Sequence, residues 1–107
     1  MMEKLIVDGK VAVLVSFGYG AGWSTWGGED SEKKLFDPVL AQMILDNNHE
    51  ITANIVRYVE ETYPDSYNGG LPDVEVVFLN QGTRFFIDEY DGAESIETED
   101  DIKWEVA

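Results

Sequence analysis

No cysteine occurs in this chain, which excludes a disulfide framework, a thiolate nucleophile and a cysteine-based zinc site. Histidine is reduced to His49 alone, so nucleophilic dyads and histidine-built metal sites are hard to assemble. Basic residues are also scarce, seven against 22 acidic ones for a net charge of −15. A field of that sign repels a phosphate backbone and makes nucleic acid a poor partner. No apolar run approaches the roughly 18 residues that a membrane helix needs. The opening Met1-Met2-Glu3-Lys4 is not expected to begin a signal peptide. The expectation is a soluble, cytoplasmic protein with no membrane contact.

What is present suffices for a fold. With 107 residues, 44% of them hydrophobic and 12% aromatic, the chain is sized for one domain over residues 1–107 with a single core, folding alone or as a small oligomer. The acids are unevenly spread: residues 54–107 hold 14 of them against 3 bases, residues 1–53 hold 8 against 4. The second half therefore carries most of the field.

Leu5-Ile6-Val7, Asp8-Gly9 and Lys10 to Phe17 predict strand, tight turn and strand, the second strand apolar enough over Val11–Val15 to be buried on both faces. Glu29 to Lys34 reads as a solvated connector. Asp37-Pro38 is a helix-start signal for a helix over 38–46. Asn47 and Glu50 fit a capping box for a second helix over 49–63, with Ile51, Ile55, Val56, Val59 and Tyr63 as its apolar stripe and Pro64 as its stop. His49 has a capping role there. Residues 64–72 form a loop. Val74–Leu79 and Arg84–Tyr90 flank Asn80-Gln81-Gly82-Thr83 in the pattern of a hairpin across 74–90. Asp91-Gly92 marks another turn, Glu94 to Asp101 is too acidic for core, and Ile102–Val106 alternates as a final strand. The result is an α+β fold, a mostly antiparallel sheet with two helices packed on one face.

The candidate site is the loop after the buried strand. It contains Gly18, Tyr19, Gly20, Ala21, Gly22, Trp23, Ser24, Thr25 and Trp26, glycines that free the backbone beside flat, stackable rings. The spacing G-x-G-x-G departs from the dinucleotide fingerprint, and no Gly-Lys-Ser/Thr triplet is present, so a P-loop is excluded. A glycine-rich bend still presents backbone amides to an anion without a positive side chain. Trp23 and Trp26 stack on a planar ring or plug the core, Trp23 being the better placed as a ligand contact. Tyr67, Gly69 and Gly70 supply a second wall, and Tyr90 and Ser95, in the segment 88–95, a third. Arg57 and Arg84 are the only arginines; one of them is the forked donor if the ligand carries phosphate, and Arg84 is counted with the site. No catalytic residue, metal site or cofactor is assigned. The acids at 88, 89, 91, 94, 97 and 99–101 miss the calcium-loop spacing and read as a solvated rim.

Through Gly18-Tyr19-Gly20-Ala21-Gly22-Trp23-Ser24-Thr25-Trp26 and Asp88-Glu89-Tyr90-Asp91-Gly92-Ala93-Glu94-Ser95, the chain resembles a family of small phage-encoded proteins that share a strand followed by GYGAGWSTW and a later DEYDGxES segment. The resemblance spans most of the chain, including the Gly69-Gly70 loop. It implies a phage or prophage setting, in which small accessory proteins blunt host defence, some as sponges for nucleotide-derived immune signals and others as acidic decoys.

Two functions follow from these features. The first is non-catalytic sequestration of a small nucleotide-like ligand by the three loops. The alternative is an acidic inhibitor or nucleic-acid mimic directed at a host defence protein, which explains the charge directly. A metal-assisted hydrolase of the same signalling molecules is a third class.

Overall fold

The computed structural model describes residues 3–18 and 20–99. Strand β1 (Ile6–Val7) and strand β2 (Lys10–Ser16) are joined by Asp8 and Gly9. Both turn residues take positive φ, 52° and 77°, the geometry that lets a two-residue loop follow the twist of its strands. Strand β3 (Val74–Asn80) pairs antiparallel with β2 on its other side, Val13 opposite Val77, so β2 is the centre of a three-stranded sheet.

Because side chains alternate across a strand, β2 feeds two cores. Ala12 and Leu14 face the helical layer with Val74, Val76 and Phe78, whereas Val13 and Val15 face the opposite side with Val77 and Leu79. The first face is covered by helix α2 (Pro38–Asp46) and helix α3 (Ala53–Thr62) through Leu40, Ile44, Ile55 and Val59. Helix α1 (Ser31–Phe36) and a second sheet cover the other face. That sheet is formed by strand β4 (Phe85–Tyr90) and strand β5 (Ala93–Thr98) and lays Phe85, Ile87 and Ile96 on it. The fold is thus α+β, with all strand pairs among the described residues antiparallel and two helices on one face of the main sheet. No helix among the described residues is long and apolar enough to cross a membrane.

Several elements differ from expectation. The hairpin across 74–90 does not form: β3 pairs with β2, and β4 pairs with β5 around Asp91-Gly92. The reason lies in β3, whose Val77 and Leu79 make its second face apolar as well. A coplanar hairpin would leave that face bare, so the chain instead turns at 81–84 and lays β4 over it. Residues 31–36 are a helix rather than a solvated connector, with Phe36 buried in the core and Lys34 buried too.

The second long helix starts later than the capping box suggests. Thr52 is its N-cap and accepts from Ile55 N, while Asn47 ends α2. His49 does not cap a helix start. With φ values of 55° and 65°, Asn48 and His49 reverse the chain, and His49 N donates to the Ile44 carbonyl. The stretch from Glu94 onward includes β5 rather than only solvated acid, and Glu94 itself is buried. The final strand over Ile102–Val106 lies outside the described residues.

Candidate functional site

The glycine loop closes around an anion that belongs to the protein. Glu94 Oε1 accepts from Ser16 N at 2.9 Å. Its Oε2 accepts from Trp23 N at 2.7 Å, Thr25 N at 3.0 Å and the Thr25 hydroxyl at 2.6 Å. A bend that turns backbone amides inward makes an anion-binding concavity, and here an internal carboxylate from β5, 3% exposed, occupies it. The hairpin turn docks on the same loop. Gly20 N donates to the Asp91 carbonyl at 2.9 Å, and Gly92, at φ 86°, packs so tightly on Ala21 that a Cβ there would collide with its backbone nitrogen. On the other side the Ser16 hydroxyl shares its single proton between the carbonyls of Ala21 and Gly70, each at 3.2 Å. The loop is thereby tied to β2, to the hairpin and to the loop before β3.

Trp23 is the loop's anchor into the core. Its side chain is 0% exposed, its indole donates to the Lys34 carbonyl at 2.8 Å, and its ring meets Tyr63 edge-on with centroids 6.1 Å apart. Lys34 lies against the same ring, its ammonium 4.2 Å from the Trp23 centroid and 2.8 Å from the Tyr67 carbonyl to which it donates. Burial lowers the Lys34 pKa to about 8, although the charges of Asp30 and Glu94 favour the ammonium.

A second buried carboxylate organises the helices. Asp37 caps α2 by accepting from Val39 N and Leu40 N, each at 3.0 Å. Through Oδ2 it also accepts from the hydroxyls of Tyr58 (2.9 Å) and Tyr63 (2.7 Å). Burial, reinforced by Asp37, pushes the Tyr58 phenol up to about 12 and the Tyr63 phenol higher still. These phenols stay protonated and serve as donors.

Trp26 behaves oppositely to Trp23. It is 38% exposed and sits beside Tyr67, 56% exposed, with ring centroids 5.6 Å apart and planes tilted by 43°. The two rings line an open cleft of about 250 Å³ together with Glu29, Asp30, Asp65 and Ser66. Trp26 Nε1 donates to Glu89 Oε1 at 2.8 Å, and that oxygen also accepts from Gly92 N at 2.9 Å. The exposed indole is therefore held in place from the hairpin.

The expected ligand set is only partly gathered. Thr25 binds Glu94, Gly20 and Ala21 lie against the Asp91-Gly92 turn, Gly22 packs beside Thr25 and Trp26, Ser24 is buried, and Gly70 closes on Gly22 so tightly that a Cβ would meet its carbonyl. Tyr67 joins Trp26, and Gly69 packs against the Tyr67 ring. Trp23 is a correction: fully enclosed, it offers no face to a ligand. Gly18 packs against Asp73 instead, and Tyr19 lies outside the described residues. Arg84 stands at the end of β4 remote from the Asp91-Gly92 turn, so it does not reach the loop as a phosphate donor. Tyr90 and Ser95 point outward from the hairpin, Tyr90 75% exposed. Among the described residues no three His, Asp or Glu side chains group as metal ligands.

Glu94 and Lys34 are buried residues of this site that sequence reasoning left in solvent. Alternation offered a signal for Glu94: it shares β5's inward parity with Ile96, whereas Ser95 shares the outward one. No family model, curated protein or solved structure matches the chain.

Proposed function

We propose that this chain is a non-catalytic binding protein that captures a basic protein partner through its acidic surface, in the manner of an inhibitor directed at a host defence protein. The observation that carries this reading is Glu94 in the glycine loop. The amides of Trp23 and Thr25, which a phosphate would need, already hold a carboxylate. A nucleotide entering there would have to displace a buried, four-fold hydrogen-bonded anion and then face a chain of net charge −15. The exposed aromatic cleft points the same way, because its rim is acidic. Its volume of about 250 Å³ falls below the roughly 300–1,000 Å³ of pockets that enclose drug-sized ligands. Complementary charge gives such a protein fast, salt-sensitive association with a basic groove. The phage or prophage setting implied by the sequence resemblance, and action in the host cytoplasm, belong to the same proposal.

The test is capture of host proteins by the immobilised chain at low and high salt, alongside native mass spectrometry of the chain purified from cells. The reading expects basic partners that elute with salt and are lost when Glu97 and Glu99 are changed to Gln. A co-purifying nucleotide, with no salt-dependent protein partner, would return the sequestration function to first place.

A further inference from the structure

From the Trp26–Tyr67 cleft, and resting on the acidic-binder reading above, we infer that the site receives an arginine side chain from the basic partner. Two large aromatic side chains lie exposed against each other in a concavity, and one of them is fixed by a hydrogen bond to Glu89. Holding an indole in place at a surface lowers the cost of stacking something on it. Because the rings touch at 5.6 Å, no slot remains between them for a nucleobase, and the open faces and edges border the cleft instead.

The polar lining sets the sign of the guest. Glu29, Asp30 and Asp65 stand around the rings. The nearby cation is Lys34, whose ammonium is buried behind the wall, committed to the Tyr67 carbonyl and the Trp23 ring. Three carboxylates against one enclosed ammonium leave the cleft negative. These acids surround the rings without converging as metal ligands, so a point charge gains little from them. A guanidinium suits the arrangement better: it is planar, stacks on aromatic faces, is weakly hydrated, and forks to carboxylates, whereas a lysine ammonium is compact and strongly hydrated.

The inference is tested by titrating isotope-labelled protein with a blocked tetrapeptide containing two arginines, its lysine counterpart, and adenosine monophosphate. The Trp26 indole N–H resonance is followed, with the Trp23 indole as the internal control. The arginine peptide should shift Trp26 saturably and leave Trp23 unmoved, the lysine peptide should bind more weakly, and the nucleotide should have no effect. Trp26→Ala and Asp65→Asn should each weaken arginine-peptide binding by about three- to tenfold. Trp26→Phe, which keeps a ring and removes the Glu89 bond, should retain part of it, separating loss of the contact from loss of the fold. An unmoved Trp26, equal response to arginine and lysine, or a nucleotide response overturns the arginine site. If salt-sensitive capture of a basic partner persists in that case, only this inference falls. If capture fails while the cleft titrates with arginine, the broader reading falls.

Discussion

Glu94 accepts both the backbone amide and the hydroxyl of Thr25, at 3.0 and 2.6 Å, across 69 positions of sequence. With Ser16 N and Trp23 N on the same carboxylate, one side chain of β5 fixes the end of β2 and the start of the loop's 3-10 turn. Replacing it by Gln keeps the shape but turns the amide NH2, a donor, toward backbone donors. Glu94→Gln should cost about 1–3 kcal/mol, the range for leaving a buried donor unpaired, and Glu94→Ala more. Urea denaturation measures both.

The two tryptophans of the loop should separate cleanly in stability. Trp23→Ala empties a fully buried site and should destabilise by about 3–5 kcal/mol. Trp26→Ala removes a surface ring and one exposed hydrogen bond, for about 1 kcal/mol or less. Melting temperatures of the two variants, compared with wild type, check the contrast.

Stability should rise and then fall at alkaline pH. Lys34 titrates near 8 when folded and near 10.5 when unfolded, so between those values the unfolded state binds more protons and stability increases with pH. Its buried charge is a penalty that is fully present below about pH 8. Tyr58 and Tyr63 act in the opposite sense. Their pKa values are raised in the fold from 10.0, so above about pH 10 the unfolded state loses protons first and stability declines. Calorimetric melting from pH 7 to 11 should show a maximum near pH 10, and Lys34→Met should abolish the rising limb.

Gly92 and Gly82 both hold positive φ, 86° and 89°, but only Gly92 lies against other backbone. Gly82→Ala should therefore cost about 1 kcal/mol for conformation alone. Gly92→Ala should cost that and more, because Ala21 and Gly20 must move. A thermal-shift comparison that found equal losses would show that the hairpin turn is not held against the loop.

The fold was legible where a local pattern and its burial agree. Asp37-Pro38 predicts the start of α2 because the cap is built from adjacent residues, and Val11–Val15 predicts a strand covered on both sides. Two Asp-Gly pairs mark the two two-residue turns. Partners of β3 were not legible, since an apolar strand reads the same whether its neighbour is β2 or β4. The loop was found as a place, and its amides do bind an anion. That anion is Glu94, in a segment whose acidity argues for solvent; alternation with Ile96 puts it on the inward face of β5, but the amides it meets there, 71 and 69 positions earlier, have no local signature. Lys34 was hidden for the same reason: a lysine in a polar run gives no sign that Trp23 and the Tyr67 carbonyl wait for it.

The register of β2 with β3 has a consequence for synthesis. Ser16 pairs with Val74, 58 positions later, so on a ribosome adding about 5–20 residues per second the sheet's central strand waits roughly 3–12 s for its longer neighbour. During that interval Val11–Val15 has only the two-residue β1 along one edge. The other edge is open to any passing strand. A product released before residue 74 would keep that edge bare, and such fragments would be material for chaperones and proteases.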